Sequence, residues 1–244
     1  MKKPVRNPVA VNKPAVAAAR PVDNRRIISY ASWICAIIAF LLYANTLNHD
    51  YTVDDGTVIS NNKITKKGVS AIPEIFSTPY RAGFWERKEG LYRPLSVAMF
   101  AVEWELAPEN PVPGHWINVI LYALTAYLLM LTLAKVFKDY SPLLPMVITL
   151  IFIVHPVHTE VVANIKSRDE ILCLLFSVLT FNFLLNWLQK KQIIQIVLSA
   201  MFFFLAFLSK ENAVTLLPVI PLFIWFFSNA SLKSNLFTSL IFVG

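Results

Sequence analysis

"IISYASWICAIIAFLLYA", residues 27–44, carries no charged side chain from end to end. At ~1.5 Å of rise per helical residue it nearly spans a hydrocarbon core ~30 Å thick, and its reading decides the fold class. A cleaved signal peptide would have a shorter apolar stretch and small residues before the cut. Here the preceding basic region is long and Leu42-Tyr43-Ala44 is a poor cleavage site, so the run reads as a signal anchor. Ahead of it, Lys2, Lys3, Arg6, Lys13, Arg20, Arg25 and Arg26 are scattered among Pro, Ala and Val without helical periodicity. Residues 1–26 are therefore expected to be a disordered basic tail on the cytoplasmic side.

Apolar runs recur at 116–134, 143–154, 171–188, 193–208 and 213–227, and a seventh starts near 236 and stops in mid-helix at Gly244, as in a truncated chain. Hydrophobic residues make up 56% and charged residues 15% of the chain, with mean hydropathy +0.56. Those values exclude an ordinary soluble domain. Alternating ten-residue strands of a membrane barrel are absent from the sequence, so the expected class is an all-α polytopic membrane protein. Cys35 and Cys173 both lie inside apolar runs and read as small packing residues.

Threading these runs from a cytoplasmic amino terminus places Lys135, Lys138, Lys190, Lys191 and Lys233 beside the basic tail, as the positive-inside rule requires. Membrane orientation thus accounts for the net charge of +7, with no call for nucleic acid as a partner. The opposite, extracytoplasmic face receives a long loop, 45–114, and the turns 155–170 and 209–212. Of the 15 acidic residues only Asp23 and Asp139 fall outside these segments, and the four histidines collect on the same face.

The loop has a pattern of its own. "LYRPLSVAMFAVEWEL", residues 91–106, sets Leu95, Met99, Val102 and Leu106 at helical spacing with Pro94 in the first turn, which predicts an amphipathic helix on the membrane surface. "NHDYTVDDGTVISNN", residues 48–62, opens the loop with Asp54 and Asp55 side by side. Two readings are open: solvated acids in a turn before Gly56, or a general base with an assisting neighbour whose charge separates their pKa values.

"VHPVHTE", residues 154–160, places His155 and His158 three apart with Glu160 following. The spacing admits a metal pair, but Pro156 interrupts the helical geometry, and the favoured reading is a helix-end cap that hydrogen-bonds the Asp54 loop. "KSRDE", residues 166–170, and "LSKEN", residues 208–212, set charges beside hydrocarbon, where they should pair with each other or with a ligand. Arg93, Arg168 and Lys210 share the acidic face and are candidates to hold an anionic phosphate. Lys210 with Glu211 reads equally as an interfacial turn snorkelling outward.

"HDYTVDDGTVISNN", "LYRPLSVAMF", "GHWINVILYAL", "HPVHTEVVANIKSRDE" and "LAFLSKENAV" follow one another in the order found in the transmembrane and tetratricopeptide-repeat O-mannosyltransferases. From about residue 30 to 225 the chain resembles the amino-terminal membrane part of that family, within the GT-C glycosyltransferases. The resemblance implies a GT-C-like helical domain over 27–244 that moves a sugar from a polyprenyl-phosphate donor to a hydroxyl acceptor on a protein, glycan or lipid. A single displacement would invert the sugar's configuration, without a metal or other cofactor, and the membrane is expected to be the inner membrane of a bacterium or the endoplasmic reticulum of a eukaryote. Asp54 matches the family's base, with Asp55 assisting. Arg93, His155, His158, Glu160, Arg168, Asp169, Lys210 and Glu211 are expected to line the substrate site.

The chain departs from the family pattern at Val53 and Gly114, where aromatics are usual, and at Ser167-Arg168-Asp169-Glu170, where Gly-Arg-Ala-Asp is usual. These departures bear on donor and acceptor specificity. A transporter, which needs ionisable groups or helix breaks at mid-depth, finds support only in Pro218 and Pro221, and a non-catalytic membrane scaffold would have no need of the acidic pair.

Overall fold

The computed structural model describes residues 24–85, 90–228, 238 and 240–242. The basic segment 1–23 and nearly all of the expected seventh span lie outside the described residues. Among those described, every regular element is helical, in keeping with the all-α expectation for a membrane protein.

Three helical segments are long and apolar enough to cross a membrane: Asn24–Thr46, Val112–Val136 and Ile165–Lys190. The first contains α1 (Asn24–Tyr43), which takes in Arg25 and Arg26, so the helix starts ahead of the apolar run. Three shorter elements follow the remaining apolar runs. These are α6 (Leu143–Ile153, 11 residues), α9 (Ile193–Ser209, 17 residues) and α10 (Leu216–Phe227, 12 residues). At ~1.5 Å per residue, only α9 approaches the thickness of the hydrocarbon.

α1 packs on α5 (Val112–Val136), α5 on α8 (Arg168–Lys190), and α8 on α9 and α10, while α6 fits against α1 and α5. Ala31, Cys35 and Ala39, four apart on α1, are buried with Val119, Tyr122, Ala126 and Met130 of α5. Small side chains at that spacing let two backbones approach, which is how helices associate where lipid competes for apolar surface. The opposite side of α1 exposes Tyr30, Trp33, Ile37 and Leu41. Several hydroxyls inside the spans donate to the carbonyl four residues back, as Thr125 does to Leu121 and Thr180 to Phe176, which pairs their protons within the helix.

At one end of the bundle, Lys135 Nζ donates to Asn182 and Asn186 at 2.7 and 2.8 Å, and Lys191, in the left-handed conformation that ends α8, lies over Trp187. At the other end the long loop folds over the helix termini. It contains α2 (Asp55–Val58), a 3-10 segment over Thr65–Ala71, α3 (Ile72–Ile75) and α4 (Pro94–Leu106). Val58, Ile59, Ala71, Ile75, Tyr80, Val97 and Phe100 form its core, into which Ile165 inserts from the segment ahead of α8.

The helix predicted within 91–106 forms over Pro94–Leu106, with Pro94 at its first turn. Its apolar character lies on two sides rather than one. Val97, Phe100 and Ala101 face the loop core, while Leu95, Met99, Val102 and Leu106 line an open apolar groove with Ile72 and with Ile117 of α5. The chain turns after Ile153 and resumes as α7 (His158–Ala163), because Pro156 has no amide proton to continue the helix.

Candidate active site

The loop, the start of α5, the α7–α8 connection and the α9–α10 connection meet at one end of the bundle. Asp54 and Asp55 sit there with opposite surroundings. Asp55 is fully buried. Its Oδ2 accepts from the Thr52 amide at 2.8 Å and the Thr52 hydroxyl at 3.0 Å, and its Oδ1 accepts from the Lys166 amide at 2.7 Å. Burial pushes the Asp55 pKa up, opposed by those hydrogen bonds. Asp54 keeps 54% of its side chain exposed, with Oδ2 3.6 Å from the Lys166 ammonium. Adjacent residues point to opposite sides of a tight turn, so one carboxylate anchors the turn while the other faces outward.

Arg93, directly before α4, joins two further segments. Its Nη1 donates to Asp169 Oδ2 at 2.7 Å, at the start of α8, and its Nε donates to Glu211 Oε2 at 2.9 Å, between α9 and α10. Nη2 also donates to Glu211 Oε1, completing a bidentate pair. The guanidinium lies 5.1 Å from the Tyr80 ring centre. Burial works against the charge on Arg93, but the bonds and charges of Glu211 and Asp169 outweigh it and push its pKa up. The same hydrogen bonds hold Glu211 below the usual carboxylate range, against a smaller opposing effect of burial.

Arg168 is 0% exposed and commits its donors to protein. Nε donates to Asn118 Oδ1 at 2.8 Å, and Nη2 donates to the Gly114 carbonyl at 3.0 Å and Glu103 Oε2 at 3.1 Å. Nη1 bonds the other Glu103 oxygen. The Asn118 amide in turn donates to the Asn164 carbonyl at 3.0 Å, tying α5 to the turn that precedes α8. A Cβ at Gly114 would stand 2.8 Å from Ile165, so the glycine permits the close approach that brings its carbonyl to Arg168. That is a physical reason for glycine where an aromatic is usual. Lys210 pairs with Glu170, whose side chain is 41% exposed.

Of the residues expected at the site, Asp54, Asp55, Arg93, Arg168, Asp169, Lys210 and Glu211 converge on this end of the bundle. His155, His158 and Glu160 stand outside its hydrogen-bond and ion-pair network. His155 Nδ1 accepts from the Val157 amide at 3.2 Å, which caps the turn, and the His158 ring lies 4.4 Å from that of Phe152 and 5.8 Å from that of Tyr122. Burial and then the neighbouring His155 push the His158 pKa down. The link to the acidic turn that was expected from these histidines is made instead by Lys166. No group of three or more His, Cys, Asp or Glu side chains is arranged to hold a metal ion among the described residues.

Sequence reasoning did not single out Lys166, Glu103 or Asn118. Asn118 is a lone amide inside an apolar run, a signal that intramembrane polar residues have partners. Glu103 lies between apolar positions of α4, and Lys166 stood in plain view in "KSRDE".

The chain is similar to protein O-mannosyl-transferases. It is 35% identical to TMTC1 of Mus musculus over 164 residues, which is 64% of this chain and 16% of that protein. It is 29% identical to the O-mannosyl-transferase F38B6.6 of Caenorhabditis elegans over 209 residues, 81% of this chain and 28% of the relative. Tmtc1 of Drosophila melanogaster is 28% identical over 193 residues, 75% of this chain and 21% of the relative. The chain thus spans between about a sixth and somewhat over a quarter of the length of these curated relatives. No family model and no solved structure matches it. The aligned relatives all carry the description protein O-mannosyl-transferase, and the chain is similar in sequence to one part of each of them.

Proposed function

We propose that this chain is the membrane-embedded portion of a GT-C-type glycosyltransferase that moves a sugar from a polyprenyl-phosphate donor to a hydroxyl acceptor at the extracytoplasmic face. The relatives' names make mannose the first sugar to test and a protein hydroxyl the first acceptor. Residues 27–244 would form the transmembrane domain with 45–114 as its outer loop, and 1–26 a cytoplasmic tail. The lysines at the Lys135 end support that orientation through the positive-inside rule.

The observation that carries the reading is the divided role of the acidic pair. Asp55 is buried and fixed by three hydrogen bonds, and it presents Asp54 with its carboxylate open to an incoming group. In the proposed step the acceptor hydroxyl gives its proton to Asp54, and its oxygen bonds to the anomeric carbon. The bond from that carbon to the phosphate oxygen breaks on the opposite face, so the configuration inverts without a metal. Lys210 and Arg93 would stabilise the departing phosphate, Arg93 while still paired with buried Asp169, because their partners Glu170 and Glu211 are 41% and 43% exposed and can yield to a stronger anion. Arg168, enclosed and fully engaged, fixes the walls of the site.

Asp54→Asn tests the base. Transfer from a polyprenyl-phosphate sugar in membranes should fall by roughly 10²- to 10⁴-fold. Transfer at the wild-type rate would exclude Asp54.

A further inference from the structure

Lys166 occupies the 3-10 turn Ile165–Ser167 that leads into α8. It meets both members of the acidic pair, far away in sequence: the amide donates to buried Asp55 at 2.7 Å and the ammonium stands 3.6 Å from exposed Asp54. The turn cannot drift, since the neighbouring Ile165 side chain is sealed in the loop core and Tyr80 donates to the Lys166 carbonyl at 3.4 Å. The other basic groups of the site are committed elsewhere: Arg93 to Asp169 and Glu211, Arg168 to Glu103, Lys210 to Glu170. Asp54 is the carboxylate that Lys166 faces.

We infer that Lys166 is the positioning residue of the base, holding the Asp54 carboxylate aimed at the acceptor hydroxyl. The inference rests on Asp54 acting as that base. In an inverting displacement the acceptor and the leaving phosphate occupy opposite faces of the sugar. A cation 3.6 Å from the base therefore belongs to the acceptor side and does not hold the phosphate. When the acceptor proton reaches Asp54 the ion pair is discharged, and Lys166 neither gains nor loses a proton.

The test compares wild type, Lys166→Met, Lys166→Gln and Lys166→Arg at full length in membranes, with kcat and the donor KM measured for transfer from a polyprenyl-phosphate mannose to a peptide and normalised to protein present. Removing the ammonium should lower kcat by about 10- to 100-fold, with little change in the donor KM, and Arg should restore it. Should Met fail to accumulate, the Gln variant carries the same expectation. An unchanged kcat overturns the inference, as does a raised donor KM with kcat in place, which would assign Lys166 to the phosphate. Asp54→Asn assayed in parallel separates the cases. If that variant is inactive while Lys166→Met keeps its kcat, only the role of Lys166 falls; if it is active, the base assignment falls first.

Discussion

Asp54 and Asp55 are chemically identical, and only their surroundings divide the work between them. Asp55 has its oxygens filled by Thr52 and Lys166 donors, and Asp54 meets water on one side and an ammonium on the other. The same contrast separates Asp169, 1% exposed, from Glu211, although both bind Arg93. Arg93→Met would leave Asp169 buried without its cation and should cost ~3–5 kcal/mol, read as a large drop in the thermal midpoint in detergent. Glu211→Gln should cost far less, because its carboxylate is partly in water. Its contribution also has a sign in pH. Arg93 holds Glu211 below the ordinary carboxylate value, so the stabilisation is present above that value and is lost as pH falls through the lowered one. The difference in midpoint between wild type and Glu211→Gln should therefore shrink on acidification, and a difference that widens would contradict the pairing.

Among the elements, α4 is held by a polar clamp at one end of its buried face. Glu103 reaches Arg168 at the start of α8, and Arg168 reaches the Gly114 carbonyl and Asn118 of α5. A buried pair of this kind adds little net stability compared with apolar packing, yet breaking one side leaves polar groups stranded. Arg168→Met should strip Glu103, Asn118 and the Gly114 carbonyl of a shared donor and loosen α4 from α5 and α8. Hydrogen exchange should show faster exchange in the α4 amides with little change in α6, which packs on α1 and α5. Equal acceleration in both helices would mean that Arg168 supports the bundle as a whole. The periodicity of α4 was legible in its apolar positions, but not which side it buries. Apolar residues occupy both sides, and the loop core built by Val58, Ile75 and Tyr80 decides which is covered.

For the whole molecule, Lys135, Lys138, Lys190 and Lys191 lie toward one end of the bundle and the acidic site at the other, and the proposed orientation rests on that division. With Cys35 and Cys173 replaced, a cysteine at Val53, which is 94% exposed, and one at Lys138 should react with a membrane-impermeant maleimide from opposite sides of sealed vesicles. Labelling of both from one side would overturn the topology. Hydropathy along the chain suffices for the helical class, the positions of the apolar runs and the break at Pro156. Each of these depends on residues close together in sequence, where rise per residue, hydrogen-bonding capacity and solvation act directly. Tertiary structure alone decided that Asp55 is sealed while Asp54 is open, that Arg168 is enclosed with Glu103, and that Lys166 rather than a histidine reaches the acidic turn. Burial and pairing at those positions come from segments 65 to 111 residues away, and no local pattern records which segment will pack there.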